Sequence, residues 1–140
     1  VVMVWQRENL ASYLSPAQNN KIEFISITTT DEMSQYLEDA KNKVAPVLLK
    51  YYADWCLDCV RMENTTFRDS EVADALQDFL LLQVDVTDPN LPTGRQLKQL
   101  YNVFGPPAIL IFDRKRITSP TYRLFGYQSS ENILQSIQGL

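Results

Sequence analysis

A chain of 140 residues with two cysteines and no histidine is long enough to build one domain with its own core and without crosslinks. Its hydrophobic share of 45% and charged share of 21% are those of a globular protein, and a net charge of −4 leaves no basic surplus for nucleic acid or an anionic membrane. No apolar run approaches the roughly 20 residues of a membrane helix. Val1–Trp5 also lacks the basic flank and the apolar length of a signal peptide. The first residue is Val, which leads to the expectation of a processed product or a piece of a longer polypeptide, with any targeting or anchoring segment upstream.

Residues 1–20, which include Ser15-Pro16-Ala17-Gln18-Asn19-Asn20, read as an N-terminal arm or linker, and residues 21–140 as the folded domain. Glu23–Ile27 has the pattern of a half-buried strand. Thr29-Thr30-Asp31-Glu32 then has capping-box spacing, ahead of Met33, Tyr36, Leu37 and Ala40 at helical intervals. Val47–Tyr52 is a nearly continuous apolar run, expected of a strand covered on both faces, with Lys50 the exception. A helical pattern follows from Cys56 to about Thr66. Asp69-Ser70 can cap a further helical piece carrying Val72, Ala73, Leu76 and Phe79 on one face. Leu80–Val86 reads as another central strand and Asp88–Pro92 as a turn. Thr93 and Gln96 are spaced to cap a helix that turns Leu97, Leu100 and Tyr101 inward, and Gly105-Pro106-Pro107 breaks the chain. Ala108–Phe112 is a strand, Asp113–Arg116 a charged turn and Tyr122–Phe125 an edge strand. Ser130 caps a last helix that buries Ile133, Leu134, Ile137 and Leu140. Strands alternating with helices predict an α/β fold, a central mixed β-sheet flanked by helices, with the last two strands antiparallel.

Cys56 and Cys59 are the chain's only cysteines, two residues apart, between a strand and a helix. A C-x-x-C in that setting reads as a redox motif. The competing reading is half of a zinc site, but zinc takes four ligands, and without histidine or further cysteine a site within one chain would have to recruit carboxylates. An inert staple is the other competitor; closing so short a loop contributes only about 2 kcal/mol, against roughly 3 for fifteen residues. Cys56, at the start of the helix where backbone N–H groups point outward, is the expected attacking thiolate, and the more buried Cys59 the resolving thiol.

Tyr52-Ala53-Asp54-Trp55-Cys56-Leu57-Asp58-Cys59, with Gly105-Pro106-Pro107 downstream, resembles the thioredoxin superfamily. Within it the sequence is most similar to the C-terminal periplasmic thioredoxin-like domain of the DsbD family of thiol:disulfide interchange proteins. The likeness runs through Ile27–Glu32, Pro46–Cys59, Glu63–Phe67, Leu81–Thr87 and Asn102–Phe112, and so covers roughly residues 22–140 in order. It implies a thioredoxin-like fold and a thiol:disulfide oxidoreductase that passes reducing equivalents from a membrane-embedded cysteine pair to a periplasmic partner domain. It implies as partners the N-terminal and transmembrane domains of a DsbD-like protein, or equivalent periplasmic thiol proteins. The implied location is the periplasmic side of a bacterial inner membrane, as a monomeric domain of a membrane protein that does not itself insert. The redox-active Cys56–Cys59 disulfide would be the whole of the chemistry, with no cofactor and no metal. A free-standing envelope reductase and a non-catalytic binding module of the same fold are the alternatives.

The resemblance also implies roles at single positions. Glu63, four residues after Cys59 and on the same helix face, matches an acid that moves the proton of the resolving thiol; the alternative is an ordinary solvated glutamate. Lys50 departs from the family, which usually has a buried Asp there. A lysine would favour a nearby thiolate, unless its ammonium runs out past the sheet edge while its stem packs. Asp58 and Glu63 push toward a reducing couple and Lys50 the other way. Pro107 matches the family's cis-proline beside the cysteines. Pro106 is a second departure, with no N–H to offer an extended substrate strand, so a groove with one fewer main-chain bond and a weak partner complex is expected. Trp55, Leu57 and Asp58 complete the expected substrate-contacting set, Trp55 either shielding the groove or packing as a core aromatic. Tyr51, Tyr52, Phe67 and Phe112 are assigned to the core.

Overall fold

Val47–Tyr52 forms β2, the central strand of a five-stranded sheet, because only a strand covered on both faces can use so apolar a run. The computed structural model describes residues 22–115 and 117–140; the expected arm over residues 1–20 lies outside the described residues, as does Arg116 of the charged turn. In chain order the elements are β1 (Ile25–Ser26), α1 (Thr30–Lys43), β2, α2 (Leu57–Asn64), a 3₁₀ turn (Thr66–Arg68), α3 (Ser70–Ala75), β3 (Leu80–Asp85), α4 (Pro92–Leu100), β4 (Ala108–Phe112), β5 (Tyr122–Phe125) and α5 (Ser130–Gln138). The strands lie in the order β1-β3-β2-β4-β5. β3 runs parallel to β1 and β2, whereas β4 is antiparallel to both β2 and β5, so the sheet is mixed.

The alternation of side chains along the strands builds two cores. On one side Val47, Leu49 and Tyr51 of β2 pack with Leu110 and Phe112 of β4 against Met33 and Ala40 of α1 and Leu97 of α4. On the other, Leu48, Ile109 and Ile111 meet Met62, Phe67, Val72, Leu76 and Ile133. Tyr51, Phe67 and Phe112 are buried as expected, while Tyr52, at the end of its strand, is half-buried.

Four local expectations are corrected. β1 is shorter than Glu23–Ile27, and Ile25 and Ser26 are both exposed, since it lies at the edge of the sheet and pairs only with β3. α4 opens at Pro92 with Leu91 as its N-cap, so Thr93 falls inside the helix; proline at the first position gives up an N–H that has no helical partner anyway. Leu100 is 51% exposed, because the helix stops there, Asn102 adopts a left-handed φ of 55° and Val103 turns back into the core in its place. The cap of α5 is Ser129, whose hydroxyl accepts from the Asn132 N–H, and not Ser130.

Candidate active site

β2 delivers the chain to Ala53, which is fully buried, and the turn that follows is tied down before the helix begins. The Asp54 N–H donates to Thr87 Oγ1 at 2.9 Å, and the Trp55 indole N–H donates to the Thr87 carbonyl at 2.9 Å. The Cys56 N–H donates back to the Ala53 carbonyl at 3.1 Å. Cys56 is then the N-cap of α2, in extended conformation, and its Sγ accepts from the Cys59 N–H at 3.1 Å. The Cys59 N–H and the positive end of the helix thus meet at one sulfur, which is the setting that stabilises a thiolate.

Cys56 and Cys59 are joined in a disulfide, with Cα atoms 5.2 Å apart. Cys56 is the more exposed of the two at 6% against 3%, yet both are largely covered. Cys59 Sγ lies 4.0 Å from the Tyr51 carbonyl oxygen, so the resolving position rests on the end of β2. The Pro106–Pro107 bond is cis, and the next residue, Ala108, is paired with Tyr51 across β2 and β4. Register therefore brings Pro107 to the same end of the sheet as the disulfide. Its carbonyl accepts from the Gly126 N–H at 3.0 Å, leaving half-buried Pro106, which has no N–H, ahead of it on that loop.

Lys50 is 2% exposed and does not send its ammonium past the sheet edge. Its Nζ forms an ion pair with Glu63 Oε1 of α2, and it lies 3.9 Å from the centroid of the Phe24 ring and 4.8 Å from that of Phe67. Burial pushes the lysine below its ordinary value, and the Glu63 carboxylate opposes that. Glu63 is accordingly no free surface glutamate, although its side chain keeps 37% of its exposure.

The remaining expected residues divide. Trp55 is 60% exposed, which rules out the core reading, and Leu57 projects outward at 83%. Asp58 is half-buried and faces Arg61 Nη1 at 3.7 Å, a surface contact whose attraction is mostly screened. Two residues outside the expected set belong to this end of the molecule. Thr87 latches the turn into Cys56, and the Asp85-x-Thr87 spacing at a strand end, where the Thr87 N–H donates to Asp85 Oδ1 at 2.9 Å, is the signal that could have found it. Phe104, just before Gly105-Pro106-Pro107, is 96% exposed, and an aromatic in an apolar stretch gives no sequence sign of that. Among the described residues no three or more Cys, Asp or Glu side chains gather as a metal site would require.

The family described as thioredoxin-like matches residues 28–114. The thiol:disulfide interchange protein DsbD of Vibrio vulnificus (strain YJ016) is 38% identical over 122 residues, which are 87% of this chain and 20% of that protein. DsbD of Escherichia coli (strain K12) is 43% identical over 110 residues, 79% of this chain and 19% of that protein, so the chain spans about a fifth of these relatives. The oxidised C-terminal domain of DsbD from Neisseria meningitidis superposes with a TM-score of 0.68 at 26% identity, covering 84% of this chain and 98% of that one. A poplar thioredoxin h, at 19% identity and a TM-score of 0.65 over 83% of this chain and 94% of that one, shares the fold. A C-x-x-C disulfide at a helix start, beside a cis-proline loop on a mixed five-stranded sheet, and these matches together make the chain a member of the thioredoxin-like family.

Proposed function

We propose that the chain is a thiol:disulfide oxidoreductase domain of DsbD type, which carries reducing equivalents from a membrane-embedded cysteine pair to a periplasmic partner domain. The observation that carries this is the Cys56–Cys59 disulfide with Cys56 Sγ capping α2. In the reduced domain the Cys56 thiolate attacks one sulfur of a partner disulfide, forming a mixed disulfide and releasing one partner thiolate, which takes up a proton. Cys59 then gives up its proton, attacks Cys56 Sγ and re-forms the Cys56–Cys59 bond, releasing the second partner sulfur as a thiolate that is protonated in turn. Two electrons leave the domain and the partner gains two thiols.

We assign Glu63, one turn beyond Cys59 on α2, to receive the Cys59 proton. Trp55, Leu57, Asp58, Pro106 and Pro107 are the surface on which a partner segment is held. The chemistry needs no cofactor beyond the cysteine pair. The N-terminal and transmembrane domains of a DsbD-like protein are the partners this reading names, on the periplasmic face of the inner membrane. The likeness to DsbD proteins supports it, and among the described residues no helix is long and apolar enough to cross a membrane.

Cys59→Ser should trap a mixed disulfide through Cys56 with an oxidised N-terminal domain of DsbD, seen as a dithiothreitol-sensitive band on a non-reducing gel. Cys56→Ser should not. Equilibration with glutathione should place the domain nearer thioredoxin's roughly −270 mV than the roughly −120 mV of the oxidant DsbA. No trapped species, or a potential at the oxidising end, would contradict the proposal.

A further inference from the structure

Lys50 is the only charged residue fully buried among those described, and an isolated ammonium in such a place would be costly. What meets it comes from three parts of the chain: the Glu63 carboxylate of α2, the Phe24 ring ahead of β1 and the Phe67 ring of the 3₁₀ turn. Along the chain both partners of the pair adjoin the residues that hold Cys59. Lys50 is next to Tyr51, whose carbonyl oxygen is 4.0 Å from Cys59 Sγ, and Glu63 follows Cys59 by one helical turn, a spacing that puts Cβ atoms about 5–6 Å apart. The other acid near the cysteines on this helix, Asp58, has its own cation, Arg61.

We propose that Lys50 is a positioning residue for disulfide exchange, pinning the Glu63 carboxylate behind Cys59 and offsetting its charge so that the reduced pair carries its thiolate beside a balanced ion pair. This rests on the oxidoreductase reading above. The physical content is a matter of sign. Removing the ammonium leaves an unopposed carboxylate, which disfavours a thiolate and therefore the reduced state. Removing the carboxylate leaves an unopposed ammonium, which favours it. General damage to the fold has no reason to push the two in opposite directions.

The test equilibrates the wild-type domain, Lys50→Met, Glu63→Gln and the double variant with reduced and oxidised glutathione at pH 7 and counts thiols by alkylation. Lys50→Met should shift the equilibrium toward the disulfide by about tenfold, which is about 30 mV more reducing for a two-electron couple. Glu63→Gln should shift it toward the dithiol, and the double variant should return to within about threefold of wild type. The double variant exchanges a partly buried ion pair for uncharged groups of similar volume, a change folds often accept, so it and Glu63→Gln decide the matter even if Lys50→Met does not fold. Single variants that move the same way, a Glu63→Gln variant that does not move, or a double variant displaced as far as Lys50→Met overturns the inference. A wild-type domain that fails to exchange with glutathione at all sinks the oxidoreductase reading instead.

Discussion

At Thr87 one side chain and one carbonyl fix two successive residues of the turn into Cys56. Its Oγ1 accepts from the Asp54 N–H and donates to Asp85 Oδ1, and its carbonyl holds the Trp55 indole. Thr87→Val keeps the shape and removes the hydroxyl, so it should cost about 1 kcal/mol, with Thr87→Ser close to wild type. Urea unfolding of the oxidised domain measures the difference, and faster hydrogen exchange at the Asp54 amide should accompany it. Equal stability of the Val and Ser variants would show that the hydroxyl is idle. Cys56 and Cys59 are legible in the sequence alone, because two residue types at a fixed spacing before a helix define their chemistry locally. The pairing of Lys50 with Glu63 is not. They lie 13 residues apart on a strand and a helix, and lysines as a class stay at the surface, so only the register of β2 against α2 reveals that one is buried on the other. Thr87 is 33 residues from Asp54, so its hold on that turn is a product of the fold, while its turn with Asp85 is local and legible.

Helix α1 shows how far an element can be read from its own ends. Thr29 caps it, Glu32 reaches back, and the Thr28 N–H and hydroxyl add bonds of 3.0 and 2.6 Å to the same Glu32 oxygen. Those bonds, the Thr28 hydroxyl foremost, hold the Glu32 carboxyl below its ordinary value. Loss of the N-cap in Thr29→Ala should lower stability by about 1 kcal/mol in thermal or urea unfolding, and an unchanged midpoint would mean that the first turn frays without consequence. The capping box is legible because both partners sit within four residues. β2 and β4 are legible with correct ends because strands as apolar as these are interrupted abruptly by turn residues, and β5, which carries Arg123 and alternates in burial, because it lies between Pro120 and Gly126. The starts of α4 and α5 differ from expectation by one or two positions, since proline at Pro92 and two adjacent serines, Ser129 and Ser130, offer alternatives that sequence spacing ranks poorly. The inward assignment of Leu100 fails for a different reason. Helical periodicity extrapolates a face, but the helix ends and Asn102 redirects the chain.

Among the described residues, buried and half-buried titratable groups shape how stability changes in alkali. Tyr51 donates its hydroxyl to the Leu97 carbonyl at 2.6 Å, joining β2 to α4, and burial pushes its ionisation well above the ordinary phenolic value. Burial pushes Tyr101 up to about 12, from 10.0. Between pH 10 and those raised values the folded chain keeps protons that the unfolded chain gives up, so the stability these tyrosines contribute is whole below pH 10 and is lost as pH rises through the folded values. Lys50 has the opposite sign. Its folded value is lowered, so between that value and 10.5 the unfolded chain holds more protons and stability from this group rises with pH. The two contributions change over near pH 10. Stability should be level or slightly rising up to there and should then fall, each tyrosine that stays protonated in the fold costing at most about 1.4 kcal/mol per pH unit. Urea unfolding of the oxidised domain at pH 8, 10 and 11 gives the profile, and Tyr51→Phe should flatten the upper limb because the group that titrates is gone. A Tyr51→Phe limb as steep as that of the wild type would mean that the phenol at the junction of β2 and α4 does not govern alkaline unfolding.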